Sequence, residues 1–207
     1  NEHFPWTRPA ACGRDRGSIG LGDRLGIASI GHISAVRGRK VFPVLAQQSM
    51  RELTLTGRNY AGVLDDAAYA VFMQNWQEGY GADGDHLKKK EDIRHALDLG
   101  YTMITLDCSE QIDGNAAGLA APAREQQTRT LLGPDYDAAL QRYTKAGPAG
   151  TPAMTANEFH LNALTYEHAI RYTAEVYREL IITAGRAIDF ELSIDETATP
   201  TTPAAHR

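Results

Sequence analysis

GYGADGDHLKKKEDIRHALDLGYTMITLD, residues 79 to 107, is the stretch that decides the fold. Gly79 to Leu87 is a glycine-rich strand end and loop. Ile93, Ala96 and Leu97 then share one face of a helix that Gly100 stops. Tyr101 to Leu106 is a short apolar run of the buried-strand kind, closing at Asp107. Working outward, Val41 to Ala46 is a second such run, and it ends at Gln47-Gln48-Ser49. Ser49 with Glu52 forms a capping box for a short helix. Leu25 to Ile30, between Gly22-Asp23-Arg24 and Gly31-His32, is expected to be the first strand. Between these runs, Asp65 to Glu78 predicts a helix with Tyr69, Phe72, Met73 and Trp76 turned to a core.

Toward the C-terminus, residues 109 to 156 are weakly patterned, with one helix near Pro134 to Tyr143, and are expected to be an insertion or lid. Asn157 to Ala184 is the longest helical pattern, ended by Gly185. Ile188 to Ile194 then alternates as a last strand, with Asp189, Glu191, Ser193 and Asp195 on its polar side. Residues 1 to 17, rich in Pro, Gly and Arg, are an irregular lead-in.

Four or five strand-then-helix units predict a parallel sheet with helical crossovers. A doubly wound sheet would carry a glycine loop after its first strand, whereas Gly17 to Gly22 stands before the expected one. A closed (β/α)8 barrel takes about 250 residues. The last strand is followed only by a Thr/Pro segment. The expectation is therefore an α/β chain of the (β/α)8 TIM-barrel type, with residues 18 to 207 forming part of that barrel.

Composition bounds the function. The 207 residues are 43% hydrophobic and 23% charged, with a net charge of -5, which weighs against nucleic acid as a partner. The apolar runs are far shorter than the roughly 20 residues a membrane helix needs. Cys12 and Cys108 are too few for a disulfide framework and fit no metal-finger spacing. A cytoplasmic enzyme is the default expectation.

In parallel α/β barrels the chemistry gathers at the carboxyl ends of the strands, and there the polar residues cluster: Asp23, Arg24, His32, Gln47, Gln48, Asp83, Asp85, His86, Asp107, Glu191, Asp195 and Glu196. Asp85-His86 is the sharpest signal, an acid and an imidazole that could supply a base beside a metal ligand; the bland alternative is a loop acid with a solvated histidine. Glu191 either faces a lumen or faces solvent. Gln47 and Gln48 could offer amides to a polyhydroxy acid. Lys88 could reach a carboxylate, or simply opens a solvated helix. His95, His160 and His168 fall in helical patterns and read as packing or surface residues, Cys108 as a small buried hydrophobe, and His206 as surface.

Three stretches taken together carry a resemblance: Gly20-Leu-Gly-Asp-Arg-Leu-Gly26 continuing to Gly31-His32-Ile33, Phe42-Pro-Val-Leu-Ala-Gln-Gln-Ser-Met-Arg-Glu52, and Gly79 to Lys88. With Glu191 to Thr197 and Thr199 to Pro203, they resemble the tagaturonate/fructuronate epimerase family of bacterial hexuronate catabolism. The resemblance implies a divalent-metal-dependent isomerase acting on small keto-uronates. Carried over, it makes Asp85 the proton acceptor, Glu191 the proton donor, and His86 and His206 metal ligands, with any further ligand beyond Arg207. Arg24, Gln47, Gln48 and Lys88 become candidates for holding the substrate. Two departures are Gly84, where a small residue such as Ala is expected, and Ala205, where an acidic residue before His206 is expected.

The implied reaction inverts a carbon that is not adjacent to the carbonyl, so direct deprotonation has no enolate to stabilise it. Retro-aldol cleavage, rotation of the aldehyde and re-addition solve this, with the metal as Lewis acid. The metal's identity stays open among Zn, Mn, Fe, Co and Ni. A keto-sugar isomerase or class II aldolase using the same groups is the alternative enzyme, and a non-catalytic sugar-acid binding module the alternative of another class.

Overall fold

The computed structural model describes residues 1–147, 150–194, 197 and 201–206. The chain forms two compact units, Asn1–Asp107 with Glu175–Ser193, and Cys108–Ala174 with Ile194–Arg207. The first unit contains strands β1 (Ser18–Gly22), β2 (Phe42–Gln47), β3 (Gly81–Leu87), β4 (Met103–Asp107) and β5 (Asp189–Ser193), with helices α1 (Ser29–Val36), α2 (Met50–Thr56), α3 (Tyr60–Met73) and α4 (Lys90–Leu99) between the first four strands. All pairings are parallel, and the order in the sheet is β1-β2-β3-β4-β5.

This sheet corrects the barrel expectation. A barrel has no edge, because its last strand pairs with its first; among the described residues five strands form one sheet that ends at β1 and β5. Consecutive strand-helix units and polar strand ends belong to any parallel α/β sheet, open or closed. Phe42 to Ala46 of β2 and Ile104 to Asp107 of β4 are buried without a break, as strands covered on both faces must be. Leu45, Leu87, Ile93, Ile104 and Leu106 are the fully enclosed centre of that core.

The stretch expected to be the first strand is not one. Leu25 is 63% and Ile27 75% exposed, and α1 begins at Ser29. The cause is Asp23, whose buried carboxylate accepts from the amides of Ile27 (3.1 Å), Ala28 (2.9 Å) and Ser29 (2.8 Å) and from the Ser29 hydroxyl (2.8 Å). The Ala28 and Ser29 amides are among those a helix start leaves unpaired, so the bonds favour a turn into a helix over an extended run. The true β1 escapes a hydrophobicity reading because SIGLG offers only two apolar side chains. A second correction concerns α3. It buries Tyr60, Val63, Ala67, Ala70 and Val71, while Tyr69 and Met73 are exposed, so of the expected apolar face only Trp76, beyond the helix, is enclosed.

The first residues of the chain run along the sheet. Tyr80 Oη donates to Thr7 O (2.8 Å), the Ala10 amide donates to Tyr80 O (2.8 Å), and the amides of Cys12 (2.5 Å) and Gly13 (3.0 Å) donate to the Asp189 carboxylate. The second unit is helical: α5 (Ala121–Leu132), α6 (Tyr136–Tyr143) and, as far as Ala174, α7 (Ala156–Val176). Leu132, Tyr136, Met154, Phe159 and Ala204 form its core, where the Tyr136 hydroxyl and His160 Nε2 stand 2.8 Å apart. The stretch expected to be an insertion or lid falls within this unit. No helix among the described residues is long and apolar enough to cross a membrane.

Burial alone would raise the Asp23 carboxyl, but the bonds from Ser29, Ile27 and Ala28 outweigh it and hold the group below its ordinary value. Its stabilising contribution is therefore present above about pH 4, the ordinary Asp range, and is lost as pH falls through the lower folded value. Asp23→Ala is expected to cost about 1–2 kcal/mol at pH 7 in urea unfolding, with the gap to the unmodified protein narrowing below about pH 4.

Candidate active site

Two bulges shape the carboxyl ends of the central strands. Gly20 and Gly22 of β1 pair with Val44 and Gln47, so β2 fits three residue steps against two of its neighbour. Likewise Gly84 and Leu87 of β3 pair with Ile104 and Leu106 of β4. The extra residues are absorbed where the backbone turns left-handed, at Ala46 (φ 60°) and His86 (φ 53°). Such a conformation costs a non-glycine residue about 1–2 kcal/mol, and bulges of this kind re-aim side chains at the rim of a sheet. Here they set the directions of Gln47, Asp85 and His86.

Asp83 lies at the centre, fully buried. Thr105 Oγ1 donates to its carboxylate at 3.0 and 3.2 Å, and Gln47 Nε2 donates to Oδ2 at 2.9 Å. Burial pushes Asp83 up to about 6; the Gln47 and Thr105 bonds oppose the rise, while the charges of Asp85 and Glu191 add to it. The Gln47 amide lies against Gly20, where a Cβ would stand 2.6 Å from Oε1 and 2.8 Å from Nε2, so only glycine leaves the amide its place.

Next along β3, Asp85 Oδ1 and His86 Nδ1 are 2.6 Å apart, and His86 Nε2 is 3.5 Å from Ser193 Oγ of β5. Lys88 Nζ stands 3.5 Å from Asp107 Oδ2 at the end of β4. Glu191 is exposed and pairs in register with Thr105. Gly84 faces packing instead: a Cβ there would meet Leu87 Cδ1 at 3.0 Å, Ile104 Cδ1 at 3.2 Å and Ala96 Cβ at 3.4 Å, so an alanine would have to press its neighbours apart slightly.

Asp83, Asp85, His86, Lys88, Gln47 and Glu191 thus belong to one sheet end. Arg24 and Gln48 have other attachments. The exposed Arg24 pairs with Glu52. Gln48 is fully buried; its amide donates to Arg24 O (2.8 Å) and Thr56 Oγ1 (3.3 Å) and accepts from Arg58 Nη1 (2.8 Å). His206 belongs to the second unit, its amide donating to Thr202 O (3.0 Å). Asp195 and Glu196 lie outside the described residues. Among the described residues, no group of three His, Cys, Asp or Glu side chains is placed to hold a metal ion. An imidazole whose Nδ1 is turned to a carboxylate is, however, the usual arrangement of a single histidine ligand, and His86 has it.

Sequence reading missed Thr105 and Gly20, and gave Asp83 no role. Asp83 was accessible to it, since it precedes Asp85 by one strand period; Thr105, inside an apolar run, gave no signal beyond being the polar residue there.

The whole chain, residues 1–207, matches the family described as UxaE, tagaturonate epimerase. The chain belongs to this family. A Thermotoga maritima tagaturonate/fructuronate epimerase is 37% identical over 207 residues, covering 99% of this chain and 42% of that protein. The native crystal structure of fructuronate-tagaturonate epimerase from Cohnella laeviribosi aligns with all of this chain and 43% of its own, at 51% identity and a TM-score of 0.92. Its complex with one glycerol aligns equally, at 52% identity and 0.92. The chain thus spans less than half the length of the relatives it matches.

Asp83 holds its proton more tightly folded than unfolded, so stability should decline as pH rises from about 4 to about 6 and level off above. The decline is on the order of 2–3 kcal/mol at 1.36 kcal/mol per pH unit. Denaturant melts at pH 4.5 and 7 should show it, and Asp83→Asn should remove it.

Proposed function

We propose that the protein acts as a tagaturonate/fructuronate epimerase, interconverting two keto-uronates that differ at one hydroxyl-bearing carbon. The observation that carries this is the placement of Asp85 on β3, 2.6 Å from His86 Nδ1, and of the exposed Glu191 on β5, in register with Thr105, which gives one sheet end two separate carboxylates. Membership of the epimerase family and 51–52% identity to the Cohnella enzyme support it. We place the reaction in the cytoplasm, where free sugar acids are metabolised.

The carbon to be inverted is two bonds from the carbonyl, so its hydrogen is not acidic. Asp85 takes the proton of the hydroxyl on that carbon. The resulting alkoxide collapses to an aldehyde as the adjacent carbon–carbon bond breaks, and the bonding electrons move into an enediolate. The aldehyde turns its other face, the bond re-forms, and Glu191 gives a proton to the new alkoxide. Asp85 then carries one proton more and Glu191 one fewer, and exchange with water through the exposed Glu191 restores both. Two carboxylates suit this because one must be ionised while the other is protonated. Asp85 also orients His86 through Nδ1. His86 would be this unit's ligand to a divalent cation, which when bound supplies Lewis-acid stabilisation of negative charge on oxygen. Lys88 and the Gln47 amide are the groups suited to the substrate's carboxylate and hydroxyls.

In the whole protein, Asp85→Asn and Glu191→Gln should each lower conversion of tagaturonate to fructuronate by two orders of magnitude or more, about the worth of one general acid or base, with metal content unchanged in Glu191→Gln and lowered in Asp85→Asn, which also loses the carboxylate that orients His86. Near-normal turnover in either variant removes that residue from its role. Release of two fragments, or a displaced carbonyl, would instead identify an aldolase or an isomerase.

A further inference from the structure

We propose that Asp83 is a positioning residue: by accepting from the Gln47 amide nitrogen, it fixes the Gln47 carbonyl over Gly20, at the carboxyl ends of β1 and β2, as an acceptor for a substrate hydroxyl. The inference rests on the reading of the site as one for a polyhydroxylated acid, and assigns which end of Gln47 that acid meets.

An amide offers a donor at one end and an acceptor at the other. Nothing in the side chain itself selects between them. Asp83 makes the selection, because an ionised carboxylate only accepts: the Nε2 end bonds Oδ2 at 2.9 Å, and the reverse orientation would set carbonyl oxygen against carboxylate oxygen. The carboxylate is itself held, being fully buried and accepting from Thr105 Oγ1 at 3.0 Å on Oδ2 and 3.2 Å on Oδ1. Gly20 closes the third side, with no Cβ to displace the amide. Among the described residues no donor meets Oε1. Gln47 is half-buried at the end of β2, beside the strand that carries Asp85 and His86. A hydroxyl of a sugar acid is the donor that suits a neutral carbonyl in such a place, since the amide bonds it without adding a further negative charge to an already acidic site.

The reciprocal substitution separates this from a purely structural role. Gln47→Glu puts two carboxylates within hydrogen-bond reach. Asp83→Asn leaves residue 83 able to present either end of an amide, so the orientation of Gln47 is no longer dictated. Combining the two rebuilds the bond in reverse, the amide at 83 donating to the carboxylate at 47, whose second oxygen is again held as an acceptor. Thr105 can still donate to the amide carbonyl at 83.

In the whole protein, each single variant should raise KM for tagaturonate by about tenfold or more, the loss of one well-made hydrogen bond. kcat should fall by a smaller factor, and the double variant should return KM to within about threefold of the unmodified protein. The inference is overturned if the double variant binds no better than the worse single, or if Asp83→Asn leaves KM unchanged. Failure of the unmodified protein to convert tagaturonate would strike the proposed function instead. The locked pair would then be judged by melting temperature, where the double variant must melt above Gln47→Glu alone, and melting at or below it overturns the inference.

Discussion

A carboxylate cut off from water has to be supplied with donors by the protein, and this requirement at Asp83 organises the sheet end around it. β4 supplies Thr105 and β2 supplies Gln47. β1 gives up a side chain altogether at Gly20, so that the amide can lie flat in place. Asp85 of β3 and Glu191 of β5 add like charge beside Asp83, which makes those donors the more necessary. Three other strands of the sheet are therefore constrained by one buried group on β3. Leaving such a group unpaired would cost more than its hydrogen bonds return, which is why the polar layer has to be complete.

The bulges are the backbone's share of that arrangement. In a regular strand, side chains alternate faces, and residues 85 and 86 would point to opposite sides. The left-handed turn at His86 breaks the alternation, and the acid and the imidazole meet at 2.6 Å. Ala46 does the same one strand away, just before Gln47. Both strained residues stand at the carboxyl end of a strand. The strain is thus spent where direction matters, while the uninterrupted apolar runs of β2 and β4 hold the strands firmly enough to bear it.

How much of this could be read from the sequence depended on which force was local. α4 and its stop at Gly100, the cap at Ser49, and the buried strands β2 and β4 follow from spacing and burial over a few residues, and they lie within a residue or two of the expected places. The Leu25 to Ile30 run was misread because its conformation is decided by one carboxylate four to six residues upstream. α3 was misread because Tyr69, Phe72 and Met73 fall at helical spacing but on the outer face, whereas small residues, Ala67 and Ala70, face inward. Closure of the sheet was not legible at all: whether the last strand meets the first is a long-range fact that no local pattern encodes. At the site, Asp85, His86, Glu191, Lys88 and Gln47 stood out as polar strand ends, while Thr105 and Gly20 matter only through what they touch across strands.

The neighbouring glutamines make the same point at the level of chemistry. Identical in type and adjacent in sequence, they looked equally fit to hold a sugar acid. Gln48 is consumed on every side: its nitrogen binds Arg24 O and Thr56, its oxygen takes the Arg58 guanidinium, and Arg58 in turn reaches Asp66. It fastens the turns after β1 and β2 to the start of α3. Gln47 uses only its nitrogen, so its oxygen is held in a fixed direction without being consumed. The difference between scaffold and site is thus a count of satisfied polar atoms, and that count depends on partners 24 and 36 residues away.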